Sequence, residues 1–526
     1  MTGPCAVCQA GATQCCSGCH SVFYCSRNHQ RQHWKFHKTR CAPYKLSVSA
    51  QLGYHVVATR DIRQGETIMK EDPTVLGPKV VSLPLCLGCG RRLRVPDGTE
   101  TYKCRSCGWP LCGAHCEMSP LHVPECSLMK ERGFRASIQA EDKKEAAYCS
   151  ITPLRCLLLQ KRDPQKYEAI LKLQSHLEER RNTTLYNIFK NNIVGFLRNA
   201  LGMTEFSEET ILKVAAILDT NSFEIRRSDG DIKIRGLYPK AAMLSHDCKP
   251  NTKHVFTGPN YTLELVSTVP IKKGEIICVT YTQTLWGTLA RREHLKQSKC
   301  FDCNCERCSD ETELGTYLGS INCSQCKKSG GKKSSMIIST NPLESSSPWK
   351  CQVCPHTILG RQIAWGNDAI RQEIAALEKS KPQALEGFLD KYKDALHPSN
   401  WHMLEVKYAL SQLYGNMQGF LLSELPDTLL ERKINLCTEL LEIADILEPG
   451  ATRLRGLLLY DLQAAMAVQA KRTLASDKIT KAAAQVIMGE AMTLLQQATE
   501  ILRTEADMAQ LLEDKLANLS KELEFD

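Results

Sequence analysis

Cysteine spacing limits what this chain can become. Its 526 residues hold 27 cysteines, and most stand two or three residues from another cysteine or a histidine. C-x2-C pairs are metal spacings rather than disulfide spacings. Tetrahedral zinc takes four Cys or His donors, so pairs of such pairs define sites. The first run is Cys5-x2-Cys8, Cys16-x2-Cys19, Cys25-x3-His29 and His37-x3-Cys41. Eight donors imply two ions, and interleaved pairs would lock a stretch too short to bury a core of its own. Cys15 and His33 are left as spares.

The same order of spacings returns at residues 86–126, as Cys86-x2-Cys89, Cys104-x2-Cys107, Cys112-x3-Cys116 and His122-x3-Cys126. This is an internal repeat, and the same zinc logic applies. Further on stand Cys300, Cys303, Cys305 and Cys308, and then Cys323-x2-Cys326 and Cys351-x2-Cys354. The last two pairs predict a ribbon-like zinc site across a Lys- and Ser-rich loop, residues 327–348.

Length calls for several domains. Apolar residues at 43% and charged residues at 24% describe a globular chain. No run is long and apolar enough to predict a membrane span, and the first residues lack the basic-then-apolar pattern of a secretory leader. A reducing compartment, cytoplasm or nucleus, is therefore expected, which favours zinc over disulfides. Residues 1–45 carry Arg27, Arg31, Lys35, Lys38, Arg40 and Lys45 and no acid, within a net charge of +9. Zinc-bound thiolates would cancel part of this, so a solvated basic face is expected rather than direct nucleic-acid binding.

Local patterns give the rest of the outline. Val56 to Ile62 alternates and is followed by the turn glycine Gly65 and Thr67-Ile68, which predicts a β-hairpin. Residues 130–220 show helical spacing, with Leu157, Ile170, Leu177, Ile188, Leu197, Ile211 and Val214 among the apolar positions. From about residue 360 to 523 the chain reads as roughly seven helices, punctuated by Pro382, Pro398, Pro426 and Pro449-Gly450.

Several of these motifs resemble one family. Tyr24-Cys25-Ser26, His29-Gln30, Trp34, His37-Lys38 and Cys41 look like a MYND finger, with His29 where that family usually has cysteine. Asn221-Ser222-Phe223, Gly236-Leu237-Tyr238-Pro239, Leu244-Ser245-His246-Asp247-Cys248, Pro250-Asn251, Gly274 and Tyr281 follow the order of a SET core. The chain therefore resembles the SET-and-MYND (SMYD) family of protein lysine methyltransferases, and its double finger and C-terminal region point to the arthropod SmydA-like branch.

The resemblance implies an α+β multidomain fold: a β-rich SET core with zinc modules, a helical insert and a TPR-like all-α C-terminal domain. The implied parts are a MYND finger (1–44), the first part of SET (45–85), a second MYND-like module (86–128), a helical insert (129–220), the SET core (221–298), a post-SET zinc loop (299–312), the ribbon module (313–359) and the helical domain (360–526).

It also implies a site. Cys248 would join Cys303, Cys305 and Cys308 as fourth ligand of the post-SET zinc. The expected donors then total 24, enough for about six zinc ions, and leave Cys15, Cys149, Cys156, Cys278, Cys300 and Cys437 over. Gly53, Asn221, Ser245, His246, Tyr281 and Phe301 would hold S-adenosyl-L-methionine, with Tyr281 placing its hydroxyl beside the transferred methyl. Three positions depart from the family pattern. His55 replaces a glycine, Ser245 replaces the Asn before His246, and Lys299 stands where a second tyrosine lines the lysine channel. The Lys299 side chain would point either into that channel or out to water.

The implied function is methyl transfer to lysine side chains of proteins, histone or not, linked with transcription regulation. The alternative is a non-catalytic adaptor, whose MYND finger takes proline-containing peptides and whose helical domain recruits partners.

Overall fold

The computed structural model describes residues 3–524 apart from 17–21, 39–40, 94–100, 139–142, 227–232, 329–334, 504 and 506–507. Three small sheets build the centre. One has four strands in the order Ser245–His246, Ile276–Val279, Gly53–Ala58 and Tyr44–Ser49; the first pair is parallel and the others antiparallel. A second orders Thr252–Thr257, Thr262–Ser267 and Thr67–Glu71, and a third Val75–Pro78, Lys233–Leu237 and Phe223–Arg226.

The expected hairpin is corrected here. Gly53–Ala58 pairs with Tyr44–Ser49, whereas Thr67–Glu71 pairs with Thr262–Ser267 in another sheet. The alternation at Val56–Ile62 is real, but Gly65 turns the chain from one sheet to the next. Pairing partners 200 residues away leave no trace in a local pattern. Asn251 fastens two of the sheets: its amide donates to the Ile276 carbonyl and accepts from the Cys278 N–H.

The apolar faces of these strands share one core with the helices Ile151–Arg162 and Glu208–Asn221 and the wide-turn helix Phe189–Ala200. The second zinc module lies in that same core. Cys86, Leu87, Cys104, Cys107, Trp109 and Leu111 are all buried within it, and Trp109 meets Tyr148 edge to face at 5.0 Å. By contrast, Cys16, Tyr24 and Cys41 of the first finger form a small cluster apart. The two repeats therefore look alike in spacing but differ in what supports them.

Residues 360–524 form seven helices among the described residues. Pro382 opens one of them, Pro426 stands at the N-cap of Asp427–Leu447, and the hydroxyl of Thr452 caps Arg453–Ala475. Gly450 joins this domain to the sheets. Its φ is +90°, and a Cβ there would come within 1.9 Å of the Thr268 carbonyl oxygen, to which Ala451 N–H donates at 2.8 Å. Lys253 to the Ile501 carbonyl and Thr284 to Glu448 add two more links. In the ribbon, Met336–Ser339 is a strand paired with Ile321–Asn322 and Trp349–Cys351, so part of the expected Lys- and Ser-rich loop is sheet.

Candidate active site and metal centres

Five sets of four donors each converge within 4.8 Å: Cys5, Cys8, Cys25 and His29; Cys86, Cys89, Cys112 and Cys116; Cys104, Cys107, His122 and Cys126; Cys248, Cys303, Cys305 and Cys308; Cys323, Cys326, Cys351 and Cys354. First and third pairs come together, and second and fourth, so the modules interleave. In the first finger Cys16 Sγ and Cys41 Sγ are 3.7 Å apart and His37 is buried, while Cys19 lies outside the described residues. No described cysteine is in a disulfide. Of the spares, His33 bonds Tyr24 Oη through Nδ1 at 3.0 Å.

Soft thiolates with one imidazole in closed four-donor sets are the donor chemistry of structural zinc. The surroundings fit that charge. A divalent ion on four thiolates carries two negative charges, and two buried arginines face the set that contains Cys248. Arg291 Nε lies 3.3 Å from Cys248 Sγ, and Arg307 donates to the Cys248 carbonyl. Glu313 bridges both arginines. In the second module His122 Nδ1 stands 3.8 Å from Glu125, a buried carboxylate that Arg155 grips. Arg155 also donates to the carbonyls of Leu76 and Leu87, at 2.8 Å each. Partners of this kind orient metal ligands. The sequence reading missed Arg155, Arg291 and Arg307; no spacing rule separates such residues from surface arginines.

Of the expected site residues, His246 and Phe301 lie near Tyr281. The Tyr281 ring lies 5.2 Å from that of His246, and the Phe301 ring is 6.0 Å from His246. Tyr281 Oη donates to the Leu244 carbonyl, and burial pushes its pKa upward, so the hydroxyl stays protonated. Both ring nitrogens of His246 are engaged. Nδ1 accepts from the Tyr281 backbone N–H at 2.9 Å, and Nε2 lies 3.2 Å from Cys248 Sγ. What His246 offers a ligand is therefore ring face and backbone.

Asn221 ends the helix Glu208–Asn221. Its amide donates to the carbonyls of Gln174 and Ile217, at 2.8 Å each. The next residue, Ser222, has a buried hydroxyl with no partner in the chain. Ser245 is tied by its backbone to Cys278. Gly53 has φ +62° with open space where a Cβ would stand, and His55 folds back so that Nδ1 meets the Gly53 carbonyl at 3.0 Å.

Lys299 turns inward. Its ammonium donates to the Thr220 carbonyl and lies 5.4 Å from the Tyr281 ring centroid. Asp219 is close but is already paired with Arg180 at 2.9 Å. Burial holds the Lys299 pKa below its ordinary value. Of the two expected orientations, the inward one is found. Cys300 in the left-handed region (φ +58°) ends the helix and sends Phe301 back toward the cysteine set.

Comparison with known sequences places this architecture. The MYND finger family model matches residues 5–41, and the SET domain model matches residues 53–282. The chain belongs to the SET-and-MYND family. The Drosophila melanogaster SET domain-containing protein SmydA-8, isoform A, is 29% identical over 378 residues, which cover 69% of this chain and 76% of that protein. Histone-lysine N-methyltransferase ASHR1 of Arabidopsis thaliana is 26% identical across 56% of this chain and 62% of its own length. Mouse histone-lysine N-methyltransferase SMYD3 is 25% identical across 51% of this chain and 62% of its own. Within this SET-and-MYND chain these sets have the donor type and geometry of zinc sites. No helix among the described residues is long and apolar enough to cross a membrane.

Proposed function

We propose that this chain is an S-adenosylmethionine-dependent protein lysine methyltransferase. The observation that carries the reading is Tyr281, a half-buried phenol joined through His246 to the Cys248, Cys303, Cys305 and Cys308 set. Two relatives bear the name histone-lysine N-methyltransferase, which supports the reaction class. When bound, the cofactor supplies a methyl group activated on sulfonium sulfur. Gly53 and Ser245 would hold it through backbone, Asn221 and the unpaired Ser222 hydroxyl through polar contacts, and Phe301 through its flat face.

The chain's own part is positioning and drying the site. An acceptor lysine must lose its proton, and an apolar channel beside Tyr281 favours the neutral amine by withholding water. Placement of the amine then accounts for most of the rate. The substrate is a lysine of a protein. Proline-containing peptides at the MYND finger, recruitment by the helical domain, and a cytoplasmic or nuclear setting complete the proposal.

The test is calorimetry with S-adenosylhomocysteine, followed by transfer of labelled methyl to a mixed histone and cell-protein substrate, with Tyr281→Phe as control. Binding together with transfer that Tyr281→Phe abolishes supports the reading. A folded, zinc-replete chain that binds no cofactor refutes it and leaves the adaptor. One observation favours that second reading: a cation, Lys299, lies against Tyr281.

A further inference from the structure

We infer that Lys299 is a tethered occupant of the acceptor site: its amine stands beside Tyr281 where the amine of an external lysine would have to come, and it excludes that lysine while in place. The inference rests on the methyltransferase reading, because it takes Tyr281 to mark the acceptor position.

Three observations converge. The Lys299 ammonium bridges Tyr281 and the end of the helix Glu208–Asn221, where it donates to the Thr220 carbonyl. That is the narrow interval between the phenol and the Asn221-Ser222 corner. Second, the backbone that carries Lys299 is held at both ends. The helix Thr288–Lys299 precedes it, with Arg291 joined to Cys248, and the Cys303, Cys305 and Cys308 loop follows. Third, the amine has no carboxylate of its own, since Asp219 belongs to Arg180. The negative end of the helix dipole and the Tyr281 ring are what hold it.

The charged groups around this amine are few. Arg180 and Asp219 come from the preceding helices and His294 from its own helix. A second ammonium entering would meet a like charge in a poorly hydrated space, without an acid to separate the two. The stem would also fill the path. Lys299 is thus a specificity-determining residue. A substrate lysine must displace this side chain to reach Tyr281, so Lys299 weakens the binding of external primary amines without abolishing it.

The experiment uses the full zinc-loaded chain and n-butylammonium as a probe of the lysine side chain. Calorimetry first measures S-adenosylhomocysteine binding to wild type, Lys299→Ala and Lys299→Tyr, and then n-butylammonium binding to each saturated complex. Circular dichroism confirms that each variant is folded, and either folded variant suffices. The expected result is cofactor-product binding in all three, with n-butylammonium bound at least about tenfold more tightly by a variant than by wild type. Wild type binding the amine as tightly as the variants would overturn the inference. So would folded variants that bind S-adenosylhomocysteine but gain no amine binding. Failure of every form to bind S-adenosylhomocysteine is a different result: it removes the methyltransferase reading and this inference with it.

Discussion

Tyr281 is held by His246: the backbone N–H of Tyr281 donates to His246 Nδ1 at 2.9 Å, while Nε2 of the same ring lies 3.2 Å from Cys248 Sγ. One imidazole therefore joins the Tyr281 backbone, just past the strand Ile276–Val279, to the cysteine set. A metal held by that set would be a positioning element for a residue it never touches.

Cys248→Ser should accordingly release both the cysteine loop and Tyr281. Loss of a metal-orienting contact of this kind costs about 10- to 100-fold in affinity or activity. The expected outcome is one fewer zinc by elemental analysis, together with a loss of that size in S-adenosylhomocysteine affinity by calorimetry. Unchanged affinity in a folded variant would show that the loop does not close the pocket.

Zinc removal should be stepwise. Purified protein is expected to carry about six ions, from sets of four donors. Among its described residues the first finger has a small cluster around Cys16, Tyr24 and Cys41, so its folding energy is expected to come from metal. The second module, with Trp109 buried in the main core, should hold its ions longer. Titration with a chelator, followed by mass spectrometry and hydrogen exchange, should open residues 5–41 before residues 86–126. Simultaneous opening would contradict this order. Three or fewer ions on a folded chain would overturn the assignment of donors.

Arg155 is the clearest stability hot spot. It satisfies Glu125, which is fully buried, and two backbone carbonyls that border the second zinc module. Arg155→Ala leaves that carboxylate buried with only His122 beside it, at a cost of about 3–5 kcal/mol. Urea unfolding should show the loss, and a change below about 1 kcal/mol would mean that Glu125 finds another partner or takes up a proton.

His402 gives a pH signature in the helical domain. It is fully buried, Nε2 meets Asn367 at 3.2 Å, and Nδ1 has no partner. Burial lowers its pKa from 6.5 to about 3. The unfolded chain then binds the extra proton below pH 6.5 while the folded chain does not, so stability is intact above 6.5 and falls as pH drops toward 3. Between pH 6.5 and 5 this amounts to about 2 kcal/mol, at 1.36 kcal/mol per unit. Denaturant curves of wild type and His402→Leu, both zinc-loaded, should differ in acid slope by that amount. Parallel slopes would exclude His402 as the source.

Metal spacing was the most legible part of the sequence. A C-x2-C pair acts over a few residues, so the pattern itself names the donors and their interleaving. The helical domain was legible for a similar reason, since apolar period and proline stops are local. Residues 44–71 were not. Val56 and Met69 both look like hairpin strands, yet their partners are Leu46 and Ile277 for one and Leu265 for the other, and strand pairing carries no local sign of its partner.

By itself the sequence determined the chemistry available: the thiolate and imidazole donors, Tyr281 among SET-like motifs, and a lysine at 299. Tertiary structure decided how those groups are used. It put His246 between Tyr281 and Cys248, set Arg291 and Arg307 against a negatively charged metal set, and folded the second zinc module into the main core. It also turned the Lys299 amine onto the Thr220 carbonyl. The reason is physical. Ligand type and helical period are properties of neighbours in the chain, whereas burial, hydrogen-bond partner and side-chain direction depend on segments far away in sequence, which only packing brings together.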